Sequence, residues 1–339
     1  PSTMRCAATL STATDLDEAV AEVGDEIDAR LDGDAPDVLF AFATHHYGGD
    51  LPRVGAELVE ATGTAALAGC TGAWTVGVGR EEEHGAGLSV LAATMPDTRV
   101  DVVHIAPPSE GGEIERPLPI EDPERASVVA LGDPFTFPVP TWLGAFADVH
   151  AEVPVAGGLA SGGVAPGQNV LFAGSDPINS GAVAVVLQGA TRMVNAVSQG
   201  CRPVGDPLVA TKVDGNVLLE LRGQPAAKVL FEVLEELDED DRKLFQSGAF
   251  LGRAVDASKS SFEPGDLLVR NIMGLDPQRH AIAVAADGFG AGTTFQLMVR
   301  EGASASAELD SFLEVAGLAT AGQAAGGLLF TCGGRGQGM

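Results

Sequence analysis

The chain has 339 residues, of which 47 are acidic and 20 are Lys or Arg, so its formal net charge is −27 at neutral pH. This charge repels phosphate backbones and anionic lipids, which argues against nucleic-acid and membrane partners. Four scattered cysteines without a Cys-x-x-Cys pair argue against a disulfide framework and against a zinc site. No leader pattern and no apolar run of roughly 18 residues is found, so we expect a soluble, cytoplasmic protein.

The first part of the chain predicts alternating helices and strands. Apolar residues at helical spacing predict a helix over 14–31, and Thr14 with Asp17 resembles a capping box. The alternation that follows is typical of an α/β layer. Further apolar stretches predict a buried strand, a second helix and two more strands, at 37–44, 51–62, 65–74 and 87–95.

The rest of the chain predicts mainly strands. After a polar, proline-rich loop at 107–125, helices are expected over 224–241 and 306–317, and a tight turn at Asp214-Gly215-Asn216. No repeat of fixed period is visible. The sequence therefore predicts an α/β (α+β) protein with mixed sheets, flanking helices and two sheet-rich domains, at 1–222 and 223–339. The expected strands lie in 126–134, 153–163, 171–189 (a pair with a turn at 175–181), 191–223, 265–276, 280–288 and 293–301.

Two adjacent histidines, His45 and His46, stand where the first buried strand gives way to a loop. A neutral imidazole there could act as a base, a metal ligand or a haem ligand. No second ligand stands at a recognisable spacing, so the alternative is a histidine that satisfies loop backbone.

Two glycine-rich phrases, GCTGAW (69–74) and AGGLASGGV (156–164), follow apolar strands and place small side chains beside the hydroxyls of Thr71 and Ser161. Such turns expose backbone N–H groups and let a ligand approach closely. Neither phrase matches a dinucleotide fingerprint, a P-loop or a nucleophile elbow. The alternative is that both are hairpin turns.

Six phrases then occur in the order and spacing of the FIST-domain proteins, which this chain resembles from about residue 38 to residue 339. The resemblance implies a sensory or ligand-binding module for small molecules such as amino acids, acting in signal transduction, and one branch of the family resembles haem-based gas sensors. It also implies further strands after the last phrase, whereas this sequence stops at Met339. The phrases are GCTGAW, GGLASGG, SQGCRPVG, TKVDGNVLLELRGQPAAKVL, VRNIMGLD and LLFTCGGRGQGM.

The closing phrase predicts a strand ending at Cys332, followed by a glycine turn in which Arg335 adds a cationic fork. Such a turn could hold a carboxylate. Alternatively, Arg335 pairs with a nearby carboxylate of the protein and closes the fold. The hypothesis is a ligand pocket shared by separate chain segments, formed by Cys70, Thr71, Gly72, Gly157, Gly158, Ser161, Gly162, Arg270, Asn271, Cys332, Gly333, Arg335 and Gly336.

We therefore expect a sensor of an amino acid or small carboxylate that works without turnover, without metal and without a cofactor, through a signalling partner or a homo-oligomer. One alternative is a haem-binding gas sensor. Another is an enzyme that uses Cys332 as nucleophile or His45 or His46 as base, which would need a lowered thiol pKa and a nearby histidine.

Overall fold

In a computed structural model of the protein, the described residues are 3–108, 118–256, 259, 261–262, 265–285, 288–320 and 323–332. The chain divides into two compact units. Unit 1 comprises 1–195 with 320–333, and unit 2 comprises 196–319 with 334–339. The predicted boundary at 222/223 concerns the two FIST-like halves and stays a prediction.

Unit 1 contains helices and strands in alternation, as the sequence predicts for its first part. Its helices are α1 (Leu16–Arg30), α2 (Val54–Thr62) and α3 (Val139–His150), with short 3-10 helices at His45–Arg53 and Pro123–Arg125. Its strands are β1 (Arg5–Ser11), β2 (Val38–Thr44), β3 (Leu67–Gly72), β4 (Thr75–Gly77), β5 (Arg80–Glu82), β6 (Leu88–Thr94), β7 (Thr98–Ile105), β8 (Ala126–Gly132), β9 (Val155–Leu159), β10 (Leu171–Ala173), β11 (Asp176–Ile178) and β12 (Ala182–Gly189).

The strands of unit 1 form two mixed sheets and a separate hairpin of β4 and β5. One sheet has the order β1-β6-β2-β3-β10-β11 and the other the order β7-β12-β8-β9. Among these pairings β2–β3 and β8–β9 are parallel, and the others are antiparallel. This confirms the predicted fold class.

The order β1-β6-β2-β3 repeats in the second sheet as β7-β12-β8-β9, with the same strand directions. A helix joins the parallel pair in each half, α2 in the first and α3 in the second. Unit 1 is thus two similar halves. This repeat is not visible in the sequence, because the lengths between equivalent elements differ and few side chains are shared.

Unit 1 has three apolar layers. The helices α1 and α2 cover one face of the six-stranded sheet through residues such as Val23 and Leu58. The helix α3 covers the four-stranded sheet through Trp142 and Phe146. The other faces of the two sheets share one cluster, in which Phe40 of β2 and Val185 of β12 take part. Burial of this apolar area is the main force that holds the sheets together.

The segment 323–332 belongs to unit 1 although the whole of residues 196–319 precedes it in the chain. The prediction of a strand ending at Cys332 is wrong, since these ten residues form no regular element. Phe330 packs edge-on against Phe42, with ring centroids 6.1 Å apart, and joins the cluster between the sheets. Side-chain packing rather than strand pairing therefore holds this segment.

Unit 2 is a single curved sheet with three helices within the described residues. Its order is β13-β19-β16-β17-β18-β14-β15, and β13 also pairs with β14, so the sheet closes on itself. The helices are α4 (Ala226–Glu236), α5 (Glu239–Ser247) and α6 (Gly302–Ala319). The strands are β13 (Cys201–Asp214), β14 (Val217–Leu221), β15 (Gln224–Pro225), β16 (Phe250–Ala254), β17 (Leu267–Asp276), β18 (Ala281–Val284) and β19 (Thr294–Arg300).

One face of this sheet packs against α4 and α5, and we call it the α4 face. Leu251, Leu297 and Val284 lie on it together with Val229 and Leu230 of α4. The predicted turn at Asp214-Gly215-Asn216 is confirmed, because Asp214 pairs with Val217 across it.

Several local predictions are corrected. The cap of α1 is Asp15, which accepts a hydrogen bond from the N–H of Glu18, so Thr14 does not form the predicted box. The helix predicted over 224–241 is two helices, because Asp238 caps α5 after a break at Leu237. The turn predicted within 171–189 contains the short strand β11. None of the described helices is long and apolar enough to cross a membrane.

Candidate functional site

The carboxyl ends of the two parallel strand pairs in unit 1 meet at one place. Just after β9, the N–H of Ser161 donates to the carbonyl of Thr71 on β3 at 3.0 Å. In return, the N–H of Ala73 donates to Oγ of Ser161 at 3.0 Å. The structure therefore brings together the two glycine-rich phrases singled out in the sequence. Sites at the carboxyl ends of strands are common in α/β proteins.

A buried chain of polar side chains runs beneath this contact. Asp133 follows β8 and Asn169 precedes β10, and both side chains are fully buried. Nδ2 of Asn169 donates to Asp133 at 3.1 Å, while Oδ1 of Asn169 lies 3.4 Å from Nε2 of His45 and accepts from the N–H of Gly163 at 2.9 Å. Asp133 also accepts from the N–H of Phe135 and from the hydroxyl of Thr136, at 3.2 and 2.7 Å.

These bonds determine which nitrogen of His45 carries a proton. An ionised carboxylate only accepts, so the amide of Asn169 must turn its NH₂ to Asp133 and its oxygen to His45. Oδ1 of Asn169 already accepts from the N–H of Gly163, but an unprotonated Nε2 would place a second acceptor 3.4 Å from it, so this arrangement favours a proton on Nε2 of His45. In a neutral ring Nδ1 is then left as an acceptor. No hydrogen bond from the described residues reaches that Nδ1.

Gly162 lies directly against the His45 ring. Its φ of +98° is one that residues with a side chain rarely adopt, and a Cβ there would lie 2.2 Å from Cδ2 of His45. Only glycine lets the backbone approach the ring this closely. The N–H of Gly162 has no acceptor within the described part of the chain. We call His45, Thr71, Asp133, Ser161, Gly162 and Asn169 the strand-end cluster.

Large apolar side chains near the cluster are exposed. Trp74 follows the end of β3 and Leu159 ends β9, and they are 39% and 48% exposed. Surfaces that combine apolar side chains with a few directed polar groups are typical of small-molecule sites.

The first predicted site residues, on β3, are largely occupied by the fold. Cys70 lies in the apolar cluster between the sheets, and burial raises the pKa of its thiol to about 12. Oγ1 of Thr71 accepts from the N–H of Val170 at 3.2 Å. Gly72 ends the strand and is partly exposed. The part of β3 that faces the Ser161 turn is therefore backbone.

The glycines of β9 have packing roles. Gly157 pairs with Ala130 on β8, and a Cβ on Gly157 would lie 1.8 Å from the carbonyl oxygen of Ala130. A Cβ on Gly158 would lie 3.3 Å from Cδ1 of Phe330. The closing phrase of the chain is thus near the AGGLASGGV phrase, as the hypothesis of a shared pocket requires. Gly333, Arg335 and Gly336 lie outside the described residues.

Arg270 and Asn271 lie on β17 in unit 2. Nη1 of Arg270 donates to the carbonyl of Val269 at 2.9 Å. Burial, and after it the charge of Arg253, lower the pKa of Arg270. Asn271 is exposed and pairs with Phe250 on β16.

Two members of the cluster, Asp133 and Asn169, were missed by the sequence analysis. Asp133 directly follows a buried strand, which is a usable signal, but Asn169 stands in a turn with no pattern around it. The sequence reading treated His45 as a base, a metal ligand or a haem ligand, or else as a histidine that satisfies loop backbone. Its neighbour His46 is exposed, with Nδ1 3.3 Å from Oγ1 of Thr44.

Among the described residues, the alternative roles of Cys332 as a nucleophile and of a metal site find no supporting side chains. Cys332 is exposed, and no hydrogen bond joins its thiol to a histidine among those residues. The same residues contain no group of three or more His, Cys, Asp and Glu side chains that could hold a metal ion. Haem binding stays a prediction, to be tested by a Soret band after reconstitution.

Comparison with known proteins places both parts of the chain in one family. The FIST N domain matches residues 37–224 and the FIST C domain matches residues 226–339. An uncharacterized protein of Mycobacterium tuberculosis is 31% identical over 339 residues, covering 99% of this chain and 87% of the relative. An uncharacterized protein of Mycobacterium bovis is 31% identical over 343 residues, covering 99% of this chain and 86% of the relative.

Among solved structures, a cyanuric acid hydrolase from A. caulinodans is similar with a TM-score of 0.31 and 10% identity, over 56% of this chain and 72% of that chain. A likeness this weak says nothing further about this protein.

Proposed function

This chain belongs to the FIST family, whose domains are associated with sensory signal transduction, and from that premise we propose that it senses a small molecule bound at the strand-end cluster of unit 1. The ligand is an amino acid or a similar small carboxylate, and it is bound without turnover. The observation that carries the proposal is the hydrogen-bonded chain from Asp133 through Asn169 to His45, which favours Nδ1 of His45 as an acceptor. It lies beside the N–H of Gly162, which has no acceptor among the described residues.

The polar groups of the cluster suit a ligand with both a donor and an acceptor. Nδ1 of His45 accepts from an ammonium group, and the N–H of Gly162 donates to a carboxylate. An α-amino acid carries both groups on neighbouring atoms. Trp74 and Leu159 supply apolar surface for its side chain.

The buried partners give this arrangement its rigidity. Asp133 accepts three hydrogen bonds and is fully buried, so Asn169 cannot rotate its amide without leaving a buried polar group unpaired. The acceptor on His45 is therefore set before the ligand arrives, and little ordering is needed on binding.

The test is a thermal-shift screen of the whole chain against common amino acids and matched compounds that lack the ammonium or the carboxylate. A ligand that binds the native state raises Tm with its concentration. His45→Phe keeps an aromatic ring against Gly162 but removes the acceptor, and we expect about tenfold weaker binding, as for one lost hydrogen bond to a charged group.

The matched control is His46→Phe, which changes the exposed neighbouring histidine and should leave binding unchanged. Mass spectrometry of the recovered ligand should show no chemical change. Equal binding by the two variants, or no stabilising compound in the screen, would refute the proposal.

A further inference from the structure

Two arginines of unit 2, Arg253 and Arg270, donate to backbone carbonyl oxygens, as Arg125, Arg222 and Arg242 also do. Arg253 donates to the carbonyl of Gly288 at 3.4 Å, and Arg270 to the carbonyl of Val269 at 2.9 Å. Within the described residues, no carboxylate lies within ion-pair distance of either guanidinium. By contrast, ion pairs to Asp or Glu are made by Arg5, Arg30, Arg53, Arg99, Arg202 and Arg279.

The strand register places the two arginines side by side. Arg270 on β17 is directly opposite Leu251 on β16, and Arg253 follows Leu251 by two residues. Side chains two residues apart on a strand share a face, as do residues opposite each other on paired strands. Both guanidiniums therefore project from the α4 face. Such diagonal neighbours have their backbones about 7 Å apart, which long side chains can span.

This placement is unfavourable without a counter-charge. Both residues are partly buried, and Leu251 between them is fully buried. Burial disfavours a charged group, and a like charge nearby disfavours it further. Both effects act on Arg270 and lower its pKa. The pair differs in this from Arg202 of the same unit, whose charge is met by Asp241 and Glu301.

We propose that Arg253 and Arg270 together bind an oxyanion, namely a carboxylate or phosphate group of a small molecule. A guanidinium offers parallel N–H donors in a planar fork that matches either group, and two forks can hold one oxyanion from two sides. This site is in unit 2, and it does not depend on the ligand proposed for unit 1.

The competing explanation is that both side chains lie along apolar surface with their charged ends in water. In that case every anion would reduce the repulsion between the two guanidinium groups to the same extent at a given ionic strength. An oxyanion site instead distinguishes phosphate or carboxylate from chloride at the same ionic strength.

The experiment titrates the full chain with inorganic phosphate, with succinate and with sodium chloride at matched ionic strength. We follow Tm and the NMR signals of the arginine side-chain Nε–H groups. We expect phosphate or succinate to raise Tm more than chloride does, with shifts at Arg253 and Arg270. The oxyanion with the larger effect identifies which chemistry the site prefers.

The variants Arg253→Gln and Arg270→Gln should each weaken oxyanion binding by about tenfold or more, the effect of losing charge-assisted hydrogen bonds. The matched control is Arg222→Gln, which removes an exposed arginine of the same unit that donates to the carbonyl of Pro207. This control should bind as the unchanged protein does.

If a glutamine variant does not fold, Arg253→Lys and Arg270→Lys decide the matter, since lysine keeps the charge but loses the fork and should bind more weakly. The proposal is overturned if oxyanions stabilise the protein no more than chloride. It is also overturned if the variants of the pair bind as tightly as Arg222→Gln.

Discussion

The two halves of unit 1 have the same strand order but carry different residues at equivalent positions. The strands β2 and β8 end at Thr44 and Gly132, and the next residue is His45 in one half and Asp133 in the other. The repeated backbone brings both positions to the same edge, where Asn169 joins the imidazole to the carboxylate. A repeat of backbone can thus build a site whose two sides are chemically complementary.

The halves differ in the polar residues that follow β2 and β8 but share one close packing contact at the centre of each parallel pair. Gly69 is opposite Ala41 in the first half, and Gly157 is opposite Ala130 in the second. A Cβ on Gly69 would lie 2.1 Å from the carbonyl oxygen of Ala41, as one on Gly157 would lie 1.8 Å from that of Ala130. The packing is shared, and the polar chemistry is not.

The largest difference between the halves should come from truncating the two residues that follow β2 and β8. Asp133→Ala leaves three donors without their acceptor, two of them on Asn169 and Thr136, and should lower the free energy of unfolding by about 4 kcal/mol. His45→Ala removes one long, partly exposed hydrogen bond and should cost about 1 kcal/mol.

Urea denaturation of both variants measures this contrast. Equal losses in the free energy of unfolding would mean that Asp133 does not anchor the cluster. The two equivalent positions would then contribute equally to stability, contrary to the expected difference.

The shared close packing contact predicts similar effects in the two halves. Gly69→Ala and Gly157→Ala each insert a methyl group into a parallel strand pair, and we expect each to cost about 3 kcal/mol. Gly144→Ala is a suitable control, because a Cβ there meets nothing and α3 favours alanine. Thermal or urea unfolding provides the measurement, and a large loss in only one half would contradict the structural equivalence.

The smallest expected difference between the halves concerns the second residue after His45 and after Asp133. This residue is Tyr47 in the first half and Phe135 in the second. Tyr47 is 5% exposed and donates to the carbonyl of Ala13 at 3.0 Å, whereas Phe135 is 42% exposed. Burial, and after it the charge of Glu22, raise the pKa of Tyr47 to about 12. The neutral phenol is therefore favoured in the folded state.

Because the pKa is raised on folding, this contribution to stability is fully present below the unfolded value of about 10 and is lost as the pH rises towards 12. The chain has one tyrosine, so absorbance near 295 nm reports this group alone. Titration with a midpoint near 10 in the folded protein would show that Tyr47 is not buried as described.

Local patterns were sufficient for the elements whose buried side chains follow an unbroken apolar run or a clear helical spacing. The continuous apolar run of β2 and the helical spacing of α1 are examples. The helix α3 was missed because it buries only Trp142 and Phe146 and has a proline in its first turn, so its periodicity is weak. The strand β16 was missed because five residues with a glycine and an arginine carry little pattern.

The sequence predicted the part of the site that local patterns encode, namely the turns at Thr71 and Ser161. The Thr71 and Ser161 turns follow apolar strands, and their meeting could be guessed from the tendency of glycine turns to bind ligands. The partnership of Asp133 with Asn169 depends on how two sheets stack, which no local pattern encodes. The placement of Arg253 beside Arg270 likewise depends on the register of β16 and β17.

The segment 323–332 has a consequence for biosynthesis. Residues near Phe330 emerge from the ribosome only after residues 196–319 of unit 2 have been translated, yet Phe330 packs against Phe42 and lies beside Gly158. The nascent protein must therefore hold the edge between its first two sheets open, or fold it incompletely, while the intervening residues are made. Contacts between segments so distant in sequence slow folding, since a long loop must close before they form.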